Sequence, residues 1–230
     1  MKQINSNPII DTGLELSVSY KVPSDVIVGI LFNFLQGKGE KVGLQKLPVS
    51  NIPDEIRKND PNLRDKPTHQ LTSKLGFVQI GESILCIGGV IPYTNWENFE
   101  TYIKEIVEFL SKNGFVNNVG LAKLRYLNFF KENVFKTINL TIQMQGIDEM
   151  CNGSTVFRTE LPCGNGILGV LQITNGAHVK NVSLNMDDDG SLIDIQTVSK
   201  QVSMDKLQDI ITLLHKEVEN LFNKLTKKGN

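Results

Sequence analysis

Apolar positions recur at three- and four-residue steps from Ser203 to Lys224, where Leu207, Ile210, Ile211, Leu214, Val218, Leu221 and Phe222 lead on to Leu225. That spacing predicts an amphipathic helix with a wide apolar stripe. Ser203 suits its N-cap and Asp205 its first turn, while Lys224, Lys227 and Lys228 suit its C-terminal end. At 1.5 Å per residue the helix is roughly 33 Å long, so its stripe needs one continuous partner surface. A second stripe, Trp96, Phe99, Ile103, Ile106, Val107 and Leu110, follows the capping-box pattern Thr94-Asn95-Trp96-Glu97 and closes at Gly114. A shorter helix is expected from Ser24, carrying Val26, Ile27, Ile30, Leu31, Phe34 and Leu35 and ending at Gly37.

Period-two alternation marks the strands. Leu14, Leu16, Val18 and Tyr20 alternate with Glu15, Ser17 and Ser19, predicting a strand over about 13–21. Phe77–Ile80 and Ile84–Ile87 flank Gly81-Glu82 as a hairpin. Strands are also expected over Val119–Phe130, Thr137–Met144, Thr155–Leu161 and Gly169–Thr174, and over Val179–Met186, which turns at Asp188-Asp189-Gly190 into Leu192–Val198. Residues 37–73, with Pro48, Pro53, Pro61 and Pro67, read as a long excursion with one helical turn near Asp54–Arg57. This order predicts an α+β fold: an antiparallel, curved sheet with helices on one face and the long C-terminal helix packed against it. A single domain over 1–230 is the first reading, and two α+β halves divided near residue 115 the second. No sequence repeat or linker separates them.

Composition narrows the partners. Lys and Arg number 24 against 25 Asp and Glu, so no net field recruits nucleic acid. No apolar run is long enough for a membrane span or a signal peptide, which places the expected location in the cytoplasm. Three cysteines, Cys86, Cys151 and Cys163, without a CxxC pattern indicate reduced thiols rather than a disulfide framework or zinc site.

The candidate motifs are weak. Gly164-Asn165-Gly166-Ile167-Leu168-Gly169 has the GxGxxG form, but it follows Pro162 and leads into a short β-like run, where dinucleotide binding needs a helix. Asn185, Asp187, Asp189 and Gly190 resemble the opening of a calcium loop whose closing position is Gln196, unable to give a bidentate carboxylate. His69, His178 and His215 have no metal-ligand spacing, so no metal or cofactor is implied. Arg125-Tyr126-Leu127-Asn128 stands out: on a strand Arg125 and Leu127 face one side, Tyr126 and Asn128 the other. Arg125 there is either half of a satisfied structural pair or the floor of a polar pocket.

Several short stretches together are similar to a sporadically distributed prokaryotic protein family of unknown function. They are Asn7-Pro8-Ile9-Ile10, Ile52-Pro53, Asp60-Pro61-Asn62-Leu63-Arg64, Gly81, Pro92-Tyr93 with Trp96 and Phe99, Arg125-Tyr126-Leu127-Asn128, and His215 with Phe222. Such proteins carry an acidic pair around the final strand, where this sequence keeps Asp194 but has Gln196. The resemblance implies a single domain and no particular activity. The expectation is therefore a non-catalytic binding or interaction protein of a prokaryotic accessory or defence-type gene cluster, taking an anionic ligand or a protein partner. Arg125 and Arg64 would anchor the anion, with Tyr126 and Asn128 tying the strand's other face into the fold. A homo-oligomer is allowed. The alternative is an enzyme assembled from Arg64, Arg125, Asp194 and Cys163.

Overall fold

The computed structural model describes residues 7–142, 153–200 and 202–226. β1 (Ile9–Tyr20) buries Ile10, Thr12, Leu14, Leu16 and Val18 and turns Asp11, Glu15 and Ser17 outward, so the alternation begins four residues before the expected start. α1 (Ser24–Gly37) is entered from Pro23 as N-cap and buries Ile27, Val28, Leu31 and Leu35, leaving Val26 exposed. The excursion contains more than a helical turn: β2 (Gly43–Lys46), α2 (Asp54–Asn59) and β3 (His69–Ser73) bring it back to the sheet. β4 (Gly76–Ile80) and β5 (Ile84–Gly89) form the hairpin. Its reversal closes with Gly81 N donating to Ile84 O at 3.0 Å, so the turn residues are Glu82 and Ser83. Gly81 serves a different purpose, since a Cβ there would lie 2.8 Å from the Lys66 carbonyl oxygen of the excursion.

α3 (Trp96–Lys112) is capped by Asn95, whose side-chain oxygen accepts from Asn98 N at 2.9 Å, one residue later than the expected Thr94. β6 (Val116–Phe130), β7 (Thr155–Gly164), β8 (Ile167–Asn181) and β9 (Met186–Lys200) follow, and α4 (Leu207–Thr226) ends the described chain. α4 starts four residues after Ser203, behind a 3-10 turn over Met204–Lys206, and Lys227 and Lys228 lie outside the described residues.

Two expected strands are corrected. Over 137–142 the chain is irregular, and Asn139 N donates to Leu225 O at 2.6 Å, satisfying a carbonyl at the end of α4. Ile138 and Leu140 pack on the core from this irregular segment, while Met144 lies outside the described residues. Val179 belongs to β8, which reverses at Val182–Asn185, where Asn185 takes a left-handed φ of 48° and the Asn181 side chain accepts from Leu184 N at 3.1 Å. Asp188, Asp189 and Gly190 are inside β9, and Gly190 is small because a Cβ would fall 2.2 Å from Phe130 O.

The nine strands of the described residues form one antiparallel sheet in the order β2-β3-β4-β5-β1-β6-β9-β8-β7. The helices lie on one face of it, and the fold is α+β. The connectivity repeats. β1 leads through a connection to the β3-β4-β5 meander and α3; β6 leads through another to the β7-β8-β9 meander and α4. In each half the first strand pairs with the last of its meander, β1 with β5 and β6 with β9, and β1 pairing with β6 joins the halves. The junction falls between Lys112 and Val116, near the division at residue 115, yet buried residues from both halves belong to one apolar cluster. No helix of the described residues is long and apolar enough to cross a membrane.

Candidate functional site

β6 separates the candidate side chains as a pleated strand must, onto opposite faces of the sheet. Arg125 faces away from the helices, opposite Gly13 of β1 and Gln196 of β9. Its Nε donates to both carboxylate oxygens of Asp194 at 3.0 Å, and its Nη2 donates to one of them at 2.7 Å. Nη1 reaches Asp11 at 3.4 Å. The planar fork is thus directed at two carboxylates, which hold the guanidinium above its ordinary pKa. Burial pushes the Asp11 carboxyl up, and Arg125 only partly offsets it. On the same face Lys123 pairs with Glu15 at 2.8 Å. Asp11, Glu15, Lys123 and Arg125 border a depression of about 280 Å³ that also contains Cys86, whose thiol is pushed up to about 12 by burial and the nearby Glu15 charge. It is a protonated thiol at neutral pH and a poor nucleophile.

The other expected members are elsewhere. Arg64 lies beside Asp65 at 3.6 Å, and Asp65 accepts from Ser83 Oγ at the β4–β5 turn. Arg125 is level with Gly13, whose β5 partner is Gly88 near the strand's far end, so the two arginines do not converge. Cys163, at the end of β7, packs against the helix-side core. Its thiol is also raised by burial. Of the four residues proposed for an enzyme site, only Arg125 and Asp194 meet.

Tyr126 and Asn128 point to the helix side, where a cavity of about 270 Å³ opens between the start of β1, the start of α3, β6 and α4. Its walls include Ile9, Tyr93, Trp96, Tyr126 and Phe222. The aromatic groups are locked together. His215 stacks on Trp96 with ring centres 3.9 Å apart and planes 10° apart, while Tyr93 meets Tyr126 edge-on at 5.7 Å. The Tyr93 and Tyr126 hydroxyls are 3.1 Å apart, and the Tyr126 hydroxyl lies 3.4 Å from His215 Nδ1. Glu219, one turn after His215 on α4, stands 3.6 Å from its Nε2.

Asn7, Pro8 and Ile9 close one side. Asn7 Nδ2 donates to Tyr93 O at 3.2 Å, its Oδ1 accepts from Ile9 N, and Phe129 N donates to Pro8 O at 2.8 Å. Asn128 is 3% exposed, and its Nδ2 donates to Ile193 O at 3.2 Å, leaving the carboxamide oxygen as an acceptor beside the cavity. Burial raises the Tyr126 and Tyr93 hydroxyls above the usual phenol range and lowers His215, so all three are neutral at pH 7. Of the residues on which the expected family resemblance rests, Asn7-Pro8-Ile9, Tyr93, Trp96, Tyr126, Asn128, His215 and Phe222 border this cavity, whereas Ile10, Ile52-Pro53, Asp60 to Arg64, Gly81, Pro92, Phe99, Arg125 and Leu127 do not. Tyr126 and Asn128 therefore border a cavity that Arg125 and Arg64 do not.

Two motifs have other uses. Gly164, Asn165 and Gly166, with φ of 87°, 50° and 73°, make the β7–β8 turn, and a strand follows them. Asp187 and Asp189 lie on β9, each 2.9 Å from a ring nitrogen of His178. Hydrogen bonding to Asp189 and the charges of both carboxylates raise the histidine's pKa.

No known protein-family profile matches the chain. Over 120 residues it is 22% identical to the major capsid protein of Bacillus phage B103. That stretch is 50% of this chain and 27% of the capsid protein, so the chain corresponds to about a quarter of the relative it matches.

Proposed function

We propose that the chain is a non-catalytic binding protein and that its site is the ring-lined cavity between β6 and α4. The observation that carries this reading is convergence: residues 7–9, 93, 96, 126, 128, 215, 218, 219, 222 and 223 border one cavity with apolar walls and a few placed polar groups, the usual make-up of a ligand site. Its size suits a small molecule or one side chain of a protein partner. Nothing in this reading depends on the partial likeness to the capsid protein.

An anion held by Arg125 is less well supported, because the guanidinium and Lys123 are both committed to carboxylates. The contacts running from Glu219 through His215 and Tyr126 to Tyr93 favour a second reading, an acid–base enzyme. Against it, the buried Tyr126 hydroxyl is pushed far from a pKa useful near neutrality.

Amide chemical-shift mapping with a small-fragment library tests the site. Saturable shifts should gather at Ile9, Trp96, Asn128 and Val218. Fragments that gather instead around Gly13, Lys123 and Gln196 on the open sheet face would overturn the assignment.

A further inference from the structure

We propose that the cavity selects a cationic nitrogen, an ammonium or guanidinium group, rather than a neutral or anionic one. The inference rests on the cavity being the binding site and adds the chemistry of its ligand. Among the described residues bordering it, Glu219 carries the only formal charge at neutral pH, and none of them is Lys or Arg. The carboxylates whose field reaches His215 are Glu219, Glu100 and Glu97, and two of them, Glu97 and Glu219, also act on Tyr93.

Hydrogen bonding has the same polarity. The Asn7 and Asn128 amide groups both donate to backbone carbonyls, and no described residue donates to the carboxamide oxygen of Asn128, itself 3% exposed and bordering the cavity. An entering anion would find no cation among these described residues to neutralise it. A neutral group would forgo the attraction of Glu219 and of the electron-rich rings. A compact cation gains from all three features: the carboxylate at the rim, the acceptor at the floor and the aromatic walls.

The same chemistry is available from a free alkylammonium compound or from a Lys or Arg side chain on a partner. Trp96 is the chain's single tryptophan and borders the cavity, so its fluorescence reports occupancy. The free-amine arm titrates benzyltrimethylammonium, benzyl alcohol and benzoate. The side-chain arm titrates N-acetyl-argininamide and N-acetyl-lysinamide, with N-acetyl-citrullinamide as the neutral mimic of arginine. The expected result, in at least one arm, is a cation bound about tenfold tighter than its neutral counterpart. The arm that binds tighter identifies the source.

Glu219→Gln should remove most of that preference without altering the melting temperature, since the Glu219 side chain is 62% exposed. Neutral and anionic probes binding as tightly as the cations would overturn the charge inference and leave the binding site standing. If no probe changes the fluorescence and none shifts the amides of Asn128 or Val218, both the inference and the site fall.

Discussion

Deleting the Arg125–Asp194 contact tests whether the centre of the open sheet face is a structural clamp. The two side chains join neighbouring strands β6 and β9 through three hydrogen bonds from one guanidinium, and Asp11 on β1 adds a second, weaker carboxylate contact. Fully exposed ion pairs contribute about 0.2–1 kcal/mol, and stripping one partner from a fully buried pair costs about 3–5 kcal/mol. Here Arg125 is 37% exposed and Asp194 13%, between those limits. A coupling of about 1–3 kcal/mol is therefore expected from a double-mutant cycle of Arg125→Ala and Asp194→Ala. For a chain of this length each kcal/mol moves the melting temperature by about 2–4 °C, so Arg125→Ala should lower it by about 2–12 °C. Arg125→Lys keeps the charge but loses the fork, and should recover only part of the loss. Urea denaturation of the four proteins in the cycle gives the coupling directly. A value below about 0.5 kcal/mol would refute the clamp and free the guanidinium for an external anion.

Burial lowers the His215 pKa in the folded chain, whereas the unfolded chain protonates it near about 6.5. Below that pH the unfolded state binds the extra proton, so this group's contribution to stability is lost as the pH falls and levels off above it. Melting curves between pH 5 and 8 should show a smaller acid-side loss in His215→Phe than in wild type; equal losses would contradict the assignment. Gly190→Ala puts a methyl 2.2 Å from Phe130 O and 2.8 Å from the Phe129 ring, and should cost about 1–3 kcal/mol in urea denaturation. An unchanged midpoint would mean the two strands are not this close. Leu214→Ala, at a fully buried position, should cost about 2–5 kcal/mol. Phe222→Ala, only partly buried, should cost less and weaken probe binding to the cavity; the reverse order of the two losses would displace α4 from its described packing.

Sequence pattern was most informative where one face of an element is buried and the other is wet. Ile103, Ile106 and Leu110 on α3, and Ile211, Leu214 and Val218 on α4, write their helices directly into the spacing. β2 and β3 were missed because GLQK is exposed throughout and HQLTS has one fully buried residue, Leu71, so neither shows the expected alternation. The β8–β9 turn was misplaced because Asp-Gly is a strong turn cue. Gly190 instead answers to close packing against β6, a constraint from residues sixty positions away. Alternation correctly put Arg125 and Tyr126 on opposite faces but did not say which face adjoins a cavity. His215 held a usable signal, since it lies three residues before Val218 and seven before Phe222, on the side of α4 facing an aromatic cluster.

Segments far apart in sequence border the cavity, with Asn7 and Pro8 on one side and Phe222 and Asn223 on another. The cavity therefore exists only once β1, β6 and α4 have come together, and a chain that loses the packing of α4 loses it too. A compound that fills it binds the native state alone and raises apparent stability by mass action, by about 2.7 kcal/mol at a hundredfold excess over its Kd.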